Sequence, residues 1–316
     1  MVEPGEGQLL LRVAANAVCG TDKLQYRFGS PVTPGHEAAG HVVATGGGTS
    51  TPVGTTGVAY LMGYCGACRS CASGHTNQCL DKHGDLGFER DGGYGPYEVI
   101  DDRQFFAVDH VDPVDATLLL DVMGTSGHAI ERARRMRTDI ESVVVAGAGP
   151  IGLGLVAMAK IVLGDDVPVL VTDLSPYRRS LAASLGALAV DATGATIADA
   201  LAEVGMTAPD VAFDATGREE PRREMLDALG KRGVLVCVGH GKGLRLNVTP
   251  DLIANERTVM GSEYFRFDEL RANADHLAAN RQYLAQIITH RFPVGDIVEG
   301  FELFASGETG KAVILP

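Results

Sequence analysis

The stretch Ser142–Asp173 limits the possible folds of this chain more than any other. It opens with a short apolar run over Ser142–Ala146, which leads directly into the glycine-rich sequence Gly147-Ala-Gly-Pro-Ile-Gly152. An apolar segment of helical length follows, and a second apolar run over Val167–Thr172 ends at Asp173. Strand, glycine-rich turn, helix and strand in this order predict a βαβ unit of the dinucleotide-binding kind.

Each part of this unit has a predicted role in holding a dinucleotide. The glycines of Gly147–Gly152 let the backbone approach a pyrophosphate, which then lies at the N-terminus of the following helix. Asp173 is placed to bind the ribose hydroxyls and to repel a 2′-phosphate, which favours NAD over NADP. Arg178 and Arg179 can accept such a phosphate, or can simply lie on a solvated helix face.

Helical and strand patterns alternate from Pro176 to Ser262. Strand patterns such as Asp210–Ala215 and Gly233–Gly239 are separated by segments with a helical pattern. This alternation predicts a doubly wound, mostly parallel sheet with helices on both faces. Cys237 lies inside one of the apolar runs and is interpreted as a core residue.

Four cysteines are clustered in the first half of the chain, in the order Cys65-x-x-Cys68-x-x-Cys71-(seven residues)-Cys79. Such close spacing lets four thiolates converge on one ion and close a tetrahedral site, which is typical of structural zinc. Disulfides and an iron–sulfur cluster are the alternatives. Loss of this zinc is expected to unfold the lobe 65–79 rather than to abolish a chemical step.

A second set of ligand types lies closer to the N-terminus. Cys19-Gly-Thr-Asp22 and Gly35-His36-Glu37 supply a thiolate, an imidazole and carboxylates within one short span. Three protein ligands and an exchangeable water distinguish a catalytic zinc from a structural one. Adjacent His36 and Glu37 cannot both face one metal from an ideal strand, because side chains alternate, but they can do so at a turn.

Asp121 lies within an apolar segment, Pro113–Arg135, whose periodicity predicts one helix. A buried carboxylate needs a partner, and either a salt bridge or a metal would serve. His41 is interpreted as a polar strand residue.

Composition excludes several classes of function. The chain has 316 residues, enough for two domains, and its formal charge is −13 (27 basic against 40 acidic residues), which argues against a nucleic-acid-binding face. No apolar run reaches the length of a membrane span, and the N-terminus lacks a signal-peptide pattern. We therefore expect a cytoplasmic protein with no nucleic-acid or membrane partner.

Taken together, these motifs resemble the zinc-dependent medium-chain dehydrogenases, a family that includes alcohol, sorbitol, threonine and glucose dehydrogenases. The resemblance covers nearly the whole chain in the family's motif order. Its carriers are Cys19–Asp22, Gly35–Gly40, the four-cysteine lobe, Gly147–Gly152 and Asp214-Ala-Thr-Gly217. It implies a β-rich GroES-like catalytic domain over 1–123 and 283–316, and a Rossmann domain over 124–282.

The resemblance also implies individual roles. Cys19 and His36 are implied ligands of a catalytic zinc, Glu37 a ligand or an exchanging carboxylate, and Asp121 a further possible ligand. Thr21 is implied to relay the substrate proton, while Asp22 holds the His36 ring. The implied cofactor-binding residues are Gly147, Gly149, Pro150, Ile151, Gly152, Asp173, Arg178 and Thr216.

Three departures from the family pattern stand out. Leu24 occupies the place where the family often has a proton-relaying His, so the proton has to leave through water or another group. Thr55-Thr56 replaces the usual Gly-Asp. The strand that usually comes before a turn like Pro4-Gly5 is absent, which would expose a sheet edge.

The resulting hypothesis is an enzyme with two zinc ions per chain. It would transfer hydride between NAD and a secondary alcohol of the polyol, sugar or cyclitol type, and would form a homodimer or homotetramer. A zinc-free reductase of the same fold is disfavoured because such enzymes lack the Cys19/His36 pair and the four-cysteine lobe. A catalytically silent protein that binds zinc and dinucleotide is the remaining alternative.

Overall fold

The computed structural model describes residues 3–108 and 110–316. The chain forms two compact units, one made of Met1–Gly124 with Phe265–Pro316 and the other of Thr125–Tyr264. The first unit is therefore assembled from both ends of the chain, and each unit has its own sheet.

The first unit is built on a seven-stranded sheet in which strand β1 is central. In the order β12-β13-β1-β2-β3-β5 all pairs are antiparallel except β12 with β13, and β4 also pairs with β1. The strands are β1 (Gln8–Ala17), β2 (Ala38–Thr45), β3 (Thr56–Ala59), β4 (Tyr97–Asp101), β5 (Phe105–Ala107), β12 (Ile288–Pro293) and β13 (Lys311–Leu315).

Strand β1 forms because an apolar, alternating sequence can face the core with every second residue. Leu9, Leu11 and Val13 are buried in one hydrophobic cluster with Ile100 of β4. The register of β1 against β2 shifts twice, between Leu10 and Leu11 and between Val13 and Ala15. Such bulges bend a strand and increase its twist, so the far end of β1 is redirected just before Cys19.

The helices of the first unit are mostly short. They are α1 (Asp22–Phe28), α2 (Arg69–Ala72), α3 (Pro113–Ala116), α10 (Glu269–Ala285, kinked at Asn280) and α11 (Ile297–Ser306). The prediction of one helix over Pro113–Arg135 is wrong in detail. Helix α3 continues as a 3-10 turn over Thr117–Leu119 and a π-helical turn over Asp121–Thr125, and only then does an α-helix begin at Ser126.

The second unit is a six-stranded, fully parallel sheet with the order β11-β10-β9-β6-β7-β8. Numbered from its own first strand, this is the order 3-2-1-4-5-6 read from the other edge, which defines the Rossmann fold. Its strands are β6 (Val143–Ala146), β7 (Val169–Asp173), β8 (Leu188–Asp191), β9 (Val211–Asp214), β10 (Val234–Cys237) and β11 (Thr258–Gly261).

Helices α4 to α9 belong to this second unit. They are α4 (Ser126–Met136), α5 (Pro150–Leu163), α6 (Pro176–Ser184), α7 (Ile197–Glu203), α8 (Glu219–Ala228) and α9 (Val248–Asp251). Helix α5 is buried along most of its length, from Pro150 to Ala159, as its uniformly apolar sequence requires. The predicted fold class, a β-rich GroES-like domain with a Rossmann domain, is confirmed.

The boundary between the units differs from the predicted one at 282/283. Residues 265–282 belong to the first unit. Phe265 is buried there against Tyr60, whose hydroxyl donates a hydrogen bond to the Phe265 carbonyl. A Cβ added at Gly124 would lie only 2.4 Å from the Phe265 ring. The helical periodicity of α10 does not show which of the two hydrophobic cores the helix packs against.

Among the described residues no helix combines the length and the apolar character needed to span a bilayer.

Candidate metal and cofactor sites

Four predicted residues converge inside the first unit. Cys19, His36, Glu37 and Asp121 are all buried, and one potential ligand atom from each lies within 4.8 Å of the others. The Asp121 Oδ2 atom is 3.1 Å from the Cys19 Sγ atom and 3.6 Å from His36 Nε2. His36 Nε2 is also 4.0 Å from Glu37 Oε1. One thiol, one imidazole and two carboxylates thus surround a single point.

Local structure explains how these side chains meet. Cys19 directly follows the redirected end of β1, and its backbone N–H donates a hydrogen bond to Asp22 Oδ2 at 3.0 Å. His36 and Glu37 lie in the turn before β2, where Gly35 has φ +98°, so the alternation of a strand does not apply to them. Asp121 opens the π-helical turn. Such turns are frequent at functional sites because they re-aim a side chain.

The electrostatics of this cluster are unusual for a protein interior. Burial raises the pKa of the Cys19 thiol, and the neighbouring Asp121 carboxylate raises it further. Burial and Asp121 likewise raise the pKa of Glu37 to about 8. Burial lowers the pKa of His36, but Asp22 and Asp121 outweigh it, so the net shift is upward. A cation in the centre would stabilise the ionised thiolate and carboxylates, which burial and their mutual repulsion otherwise disfavour.

The donor set fits zinc. The Glu37 Oε2 atom is buried and has no hydrogen-bond partner among the described residues, an orphaned acceptor that a metal ion would satisfy. Sulfur, imidazole nitrogen and carboxylate oxygen are the three ligand types that zinc accepts. The His36 Nδ1 atom lies 3.2 Å from Asp22 Oδ1, which leaves Nε2 directed at the cluster, as expected of a ligating histidine.

Thr21 lies beside this cluster without being part of its buried interior. It is exposed and is the residue immediately before helix α1. Asp22, by contrast, is fully buried, and its carboxylate is shared between the Cys19 backbone and the His36 ring.

The four clustered cysteines also converge on one point. The Cys65 and Cys71 sulfurs are 4.0 Å apart, and those of Cys68 and Cys79 are 3.9 Å apart. A disulfide requires about 2.05 Å, whereas sulfurs at the corners of a tetrahedron with bonds of about 2.3 Å to zinc lie about 3.8 Å apart. The separations therefore match a tetrahedral zinc site and not a pair of disulfides.

Backbone N–H groups favour the thiolate forms of two of these cysteines, Cys65 and Cys68. The N–H groups of Cys71 and Leu80 donate to the Cys68 sulfur at 3.5 and 3.4 Å, and they lower its pKa to about 6. The N–H groups of Ala67 and Cys68 donate to the Cys65 sulfur in the same way and lower its pKa. The thiolate, not the thiol, is the form that binds metal.

In the second unit the glycine-rich loop has the close approaches that the motif requires. Gly147 has φ +90°, a conformation that favours glycine. A Cβ on Gly152 would lie 1.8 Å from the Gly147 carbonyl oxygen, so only glycine fits there. Gly149 precedes α5, and Pro150 and Ile151 are the first two residues of that helix. The loop thus presents a helix N-terminus to a pyrophosphate.

The residues at the end of β7 surround this loop. Asp173 Oδ2 accepts a hydrogen bond from the Ala148 N–H at 2.7 Å, and Oδ1 accepts one from the Ser175 N–H at 2.7 Å. Arg178 is half-buried, and a Cβ on Gly149 would lie 3.9 Å from its Nη1 atom. Burial lowers the pKa of Arg178. A guanidinium held beside the loop in this way is suited to an anionic ligand.

Arg179 and Thr216, two further predicted residues, form hydrogen bonds to neighbouring residues of the protein. Arg179 donates to the carbonyls of Asp173 and Leu174 and pairs with Asp191, so it is committed to the protein itself. The Thr216 hydroxyl donates to Asp214 Oδ1 at 2.6 Å at the end of β9. It shapes the loop at the same edge of the sheet as the glycine-rich turn.

Three residues next to the cluster of Cys19, His36, Glu37 and Asp121 were not predicted from the sequence. Lys311 contacts Glu37, Tyr94 contacts Asp22, and the Asn16 side chain accepts a hydrogen bond from the Glu37 N–H at 3.1 Å. A polar residue in a strand that is otherwise apolar was the available signal for Asn16 and Lys311. Tyr94 lies in a glycine-rich loop and gave no signal of its own.

Comparison with known proteins identifies the family of the chain. The family model described as "Alcohol dehydrogenase GroES-like domain" matches residues 5–110, and the one described as "Zinc-binding dehydrogenase" matches residues 150–279. The chain is 31% identical to the L-galactonate-5-dehydrogenase of Escherichia coli K12 over 307 residues, which cover 95% of this chain and 88% of the relative.

Two further similarities extend the comparison. The chain is 30% identical to the L-threonine 3-dehydrogenase of Shewanella frigidimarina, over 99% of this chain and 93% of the relative. Its structure is similar to that of the cobalt- and zinc-bound thermostable alcohol dehydrogenase from Pyrobaculum aerophilum, with a TM-score of 0.85, 28% identity and coverage of 100% of this chain and 93% of the other.

Fold and sites together define a zinc-binding oxidoreductase that uses a nicotinamide dinucleotide and acts on an alcohol. The chain belongs to the zinc-dependent medium-chain dehydrogenase family. The resemblance seen in the sequence is thereby confirmed.

Proposed function

We propose that the chain is an NAD-dependent dehydrogenase that oxidises a secondary alcohol of the polyol, sugar or cyclitol type at a zinc held by Cys19, His36, Glu37 and Asp121. The observation that carries this proposal is the convergence of these four buried donors, with an orphaned Glu37 oxygen among them. Cys65, Cys68, Cys71 and Cys79 are proposed to hold a second, structural zinc.

The preference for a hydroxylated substrate rests on two considerations. The donor set contains two carboxylates, Glu37 and Asp121, and a single thiol. The catalytic zinc of alcohol dehydrogenase is instead held by two cysteines and one histidine. Two relatives are named for dehydrogenation of L-galactonate at position 5 and of L-threonine at position 3. Both of these positions carry a secondary hydroxyl group on a polar carbon chain.

When bound, zinc supplies Lewis acidity that makes the alcohol hydroxyl more acidic, and NAD supplies the hydride acceptor. The chain's own residues handle the proton and the positioning. The exposed Thr21 hydroxyl accepts the proton of the substrate hydroxyl and passes it to solvent. Because Leu24 is exposed and cannot relay a proton, water is the proposed recipient. The alcohol thus loses one proton and one hydride and becomes a ketone.

The proposed cofactor is NAD rather than NADP. Asp173 presents a carboxylate at the end of β7, where the ribose of a dinucleotide binds in this fold. Arg178 beside Gly149 is proposed to contact the adenosine ribose or the pyrophosphate, and Arg179 is committed elsewhere. Residues Gly147–Gly152 and Thr216 complete the proposed cofactor-binding set.

Assembly and location complete the proposal. We expect a homodimer or homotetramer formed through the Rossmann unit, in which β11 is an edge strand. A cytoplasmic location would keep the four clustered cysteines reduced and available for zinc. Sedimentation equilibrium of the purified protein tests the assembly.

The function is tested by zinc analysis followed by a substrate panel. Purified protein is expected to hold about two zinc ions per chain and to reduce NAD with at least one polyol, sugar acid or cyclitol. Cys19→Ala should hold about one zinc, lose turnover and still bind NADH. Cys237→Ala removes a half-buried cysteine of the second unit that belongs to neither cluster, and it serves as the matched control.

Two outcomes would overturn this proposal. Turnover preserved in Cys19→Ala would show that the cluster is not the reaction centre. Tight NADH binding with about one zinc and no turnover on the panel would favour a silent zinc- and dinucleotide-binding protein instead.

A further inference from the structure

Tyr94 forms a buried hydrogen bond next to the proposed metal centre. Its hydroxyl donates to Asp22 Oδ2 at 2.7 Å and lies 3.3 Å from the Ala17 carbonyl oxygen. Tyr94 and Asp22 are 72 positions apart in the sequence and are both buried. A buried tyrosine hydroxyl normally has a hydrogen-bond partner, but here the partner is a carboxylate that has another task.

That other task is to orient His36. Asp22 Oδ2 also accepts a hydrogen bond from the Cys19 N–H at 3.0 Å, while Asp22 Oδ1 lies 3.2 Å from His36 Nδ1. The opposite ring nitrogen, His36 Nε2, faces Asp121 across 3.6 Å. A continuous contact path therefore runs from the Tyr94 hydroxyl through the Asp22 carboxylate and the His36 ring to the cluster.

The Tyr94 ring is fixed by the turn that carries His36. A Cβ on Gly35 would lie 2.9 Å from the Tyr94 ring, so the ring lies directly against that glycine. The Tyr94 N–H donates to the Pro34 carbonyl at 3.0 Å. On its other side the ring makes an edge contact with Phe301, with centroids 5.8 Å apart. Tyr94 thus contacts Asp22 through its hydroxyl and, through its backbone and ring, the two residues that precede His36.

We infer that Tyr94 is a positioning residue of the metal centre. Its hydroxyl fixes the Asp22 carboxylate, and the carboxylate in turn fixes the tautomer and orientation of the His36 ring. Without the hydroxyl, the fully buried Asp22 Oδ2 keeps only the Cys19 N–H as a hydrogen-bond donor among the residues that the structure describes. A buried carboxylate that loses a donor is destabilised or rotates. The inference rests on the proposed function, because it requires that a metal binds at Cys19, His36, Glu37 and Asp121.

The test is the zinc affinity of the centre in Tyr94→Phe. Chelator competition on the purified protein releases zinc in two equivalents, and Cys19→Ala identifies which equivalent belongs to the centre. Partners behind a ligating histidine typically contribute 10–100-fold to metal affinity. Because Tyr94 is one step further out, we expect Tyr94→Phe to weaken binding of that equivalent about tenfold and to leave the four-cysteine equivalent unchanged.

Tyr60→Phe is the matched control. Tyr60 is also a buried tyrosine of the first unit, and its hydroxyl donates to the Phe265 carbonyl, away from the cluster. Tyr60→Phe should lower the unfolding temperature without changing the zinc affinity of the centre by more than about twofold. An equal loss of affinity in both variants would overturn the inference, because it would indicate general destabilisation. A Tyr94→Phe protein that fails to fold would also overturn it, since the assigned role of the hydroxyl is local.

A double-mutant cycle with Asp22→Asn tests the path itself. If Tyr94 acts through Asp22, Tyr94→Phe should weaken zinc binding by no more than about twofold in the Asp22→Asn background. Additive losses would contradict the assigned path. Wild-type protein that lacks the second zinc equivalent would refute the proposed function. Wild-type protein that holds this equivalent, together with a Tyr94→Phe variant of unchanged zinc affinity, would refute only this inference.

Discussion

The Lys311 ammonium group contacts the Glu37 carboxylate across 274 positions of the sequence, and neither side chain is exposed to solvent. Lys311 opens β13, the strand next to β1, while Glu37 lies in the turn before β2. Burial opposes the charge on Lys311, but Glu37, Cys19 and Asp121 outweigh it and raise the pKa of Lys311. The N-terminal and C-terminal segments of the first unit are therefore joined at the cluster of Cys19, His36, Glu37 and Asp121 by one buried ion pair.

We predict that Lys311→Met destabilises the first unit by about 3–5 kcal/mol, because it leaves Glu37 buried without its cation. Urea denaturation of protein from which a chelator has removed the zinc equivalent of this centre, followed by tyrosine fluorescence, measures the change. The double variant Lys311→Met with Glu37→Gln should recover part of the loss, since no unpaired charge then remains. Equal stability of the wild type and the single variant would show that the ion pair has no net effect.

We predict that Cys68→Ser removes one zinc equivalent and unfolds the lobe 65–79. The Cys68 thiolate is stabilised by two backbone N–H groups, and structural zinc contributes directly to folding. Zinc analysis and limited proteolysis measure the two effects, with cleavage expected within the lobe. Cys237→Ser is the control and should keep both zinc equivalents. A lobe that resists proteolysis without zinc would contradict the prediction.

The sequence allowed prediction of what is local. The four cysteines lie within 15 positions, and the βαβ unit within about 30, so spacing alone indicated their partners. Asp121 and Cys19 are 102 positions apart. No periodicity indicates that such residues meet, and their pairing was anticipated only through the family resemblance. The contact between Lys311 and Glu37 was not predicted for the same reason.

The π-helical turn and the boundary between the units could not be predicted from the sequence for a related reason. Both depend on the packing of the Phe265 ring against Gly124. The ring lies so close to this glycine that a Cβ there would not fit. Apolar periodicity shows that a segment faces a core, but it does not show which core. The segment 113–135 was therefore recognised as helical while its breaks were missed, and residues 265–282 were assigned to the Rossmann domain.

Glu98 provides a pH-dependent prediction. Both of its carboxylate oxygens are buried without a hydrogen-bond partner among the described residues. Burial raises its pKa from 4.5 to about 8; Arg90 and His36 oppose the shift, and Asp91 adds to it. The folded state therefore holds a proton that the unfolded state releases, so the stability contribution is complete below pH 4.5 and is lost as the pH rises to about 8.

We predict that Glu98→Gln, which mimics the protonated acid, equals the wild type in stability near pH 4.5 and becomes increasingly more stable than it towards pH 8. The difference should grow by at most about 1.4 kcal/mol per pH unit and level off above pH 8. Urea denaturation at several pH values measures it. Glu302→Gln, at an exposed position of α11, should show no such trend. A pH-independent difference would contradict the assigned titration.

Asp173 gives the last prediction, on cofactor choice. Its two oxygens accept hydrogen bonds from the Ala148 and Ser175 N–H groups, so the carboxylate shapes the glycine-rich loop in addition to its proposed contact with the ribose. Asp173→Ser should raise the Kd for NADH about tenfold or more, because hydrogen bonds to a charged group contribute about 1.5–3 kcal/mol. It should also narrow the preference for NADH over NADPH, because the charge that repels a 2′-phosphate is gone while Arg178 remains.

Fluorescence titration with both cofactors measures the ratio of the two Kd values, and Asp191→Ser controls for the loss of a charge at the same edge of the sheet. A higher Kd for both cofactors with an unchanged ratio would mean that Asp173 only supports the loop and that another group selects the cofactor.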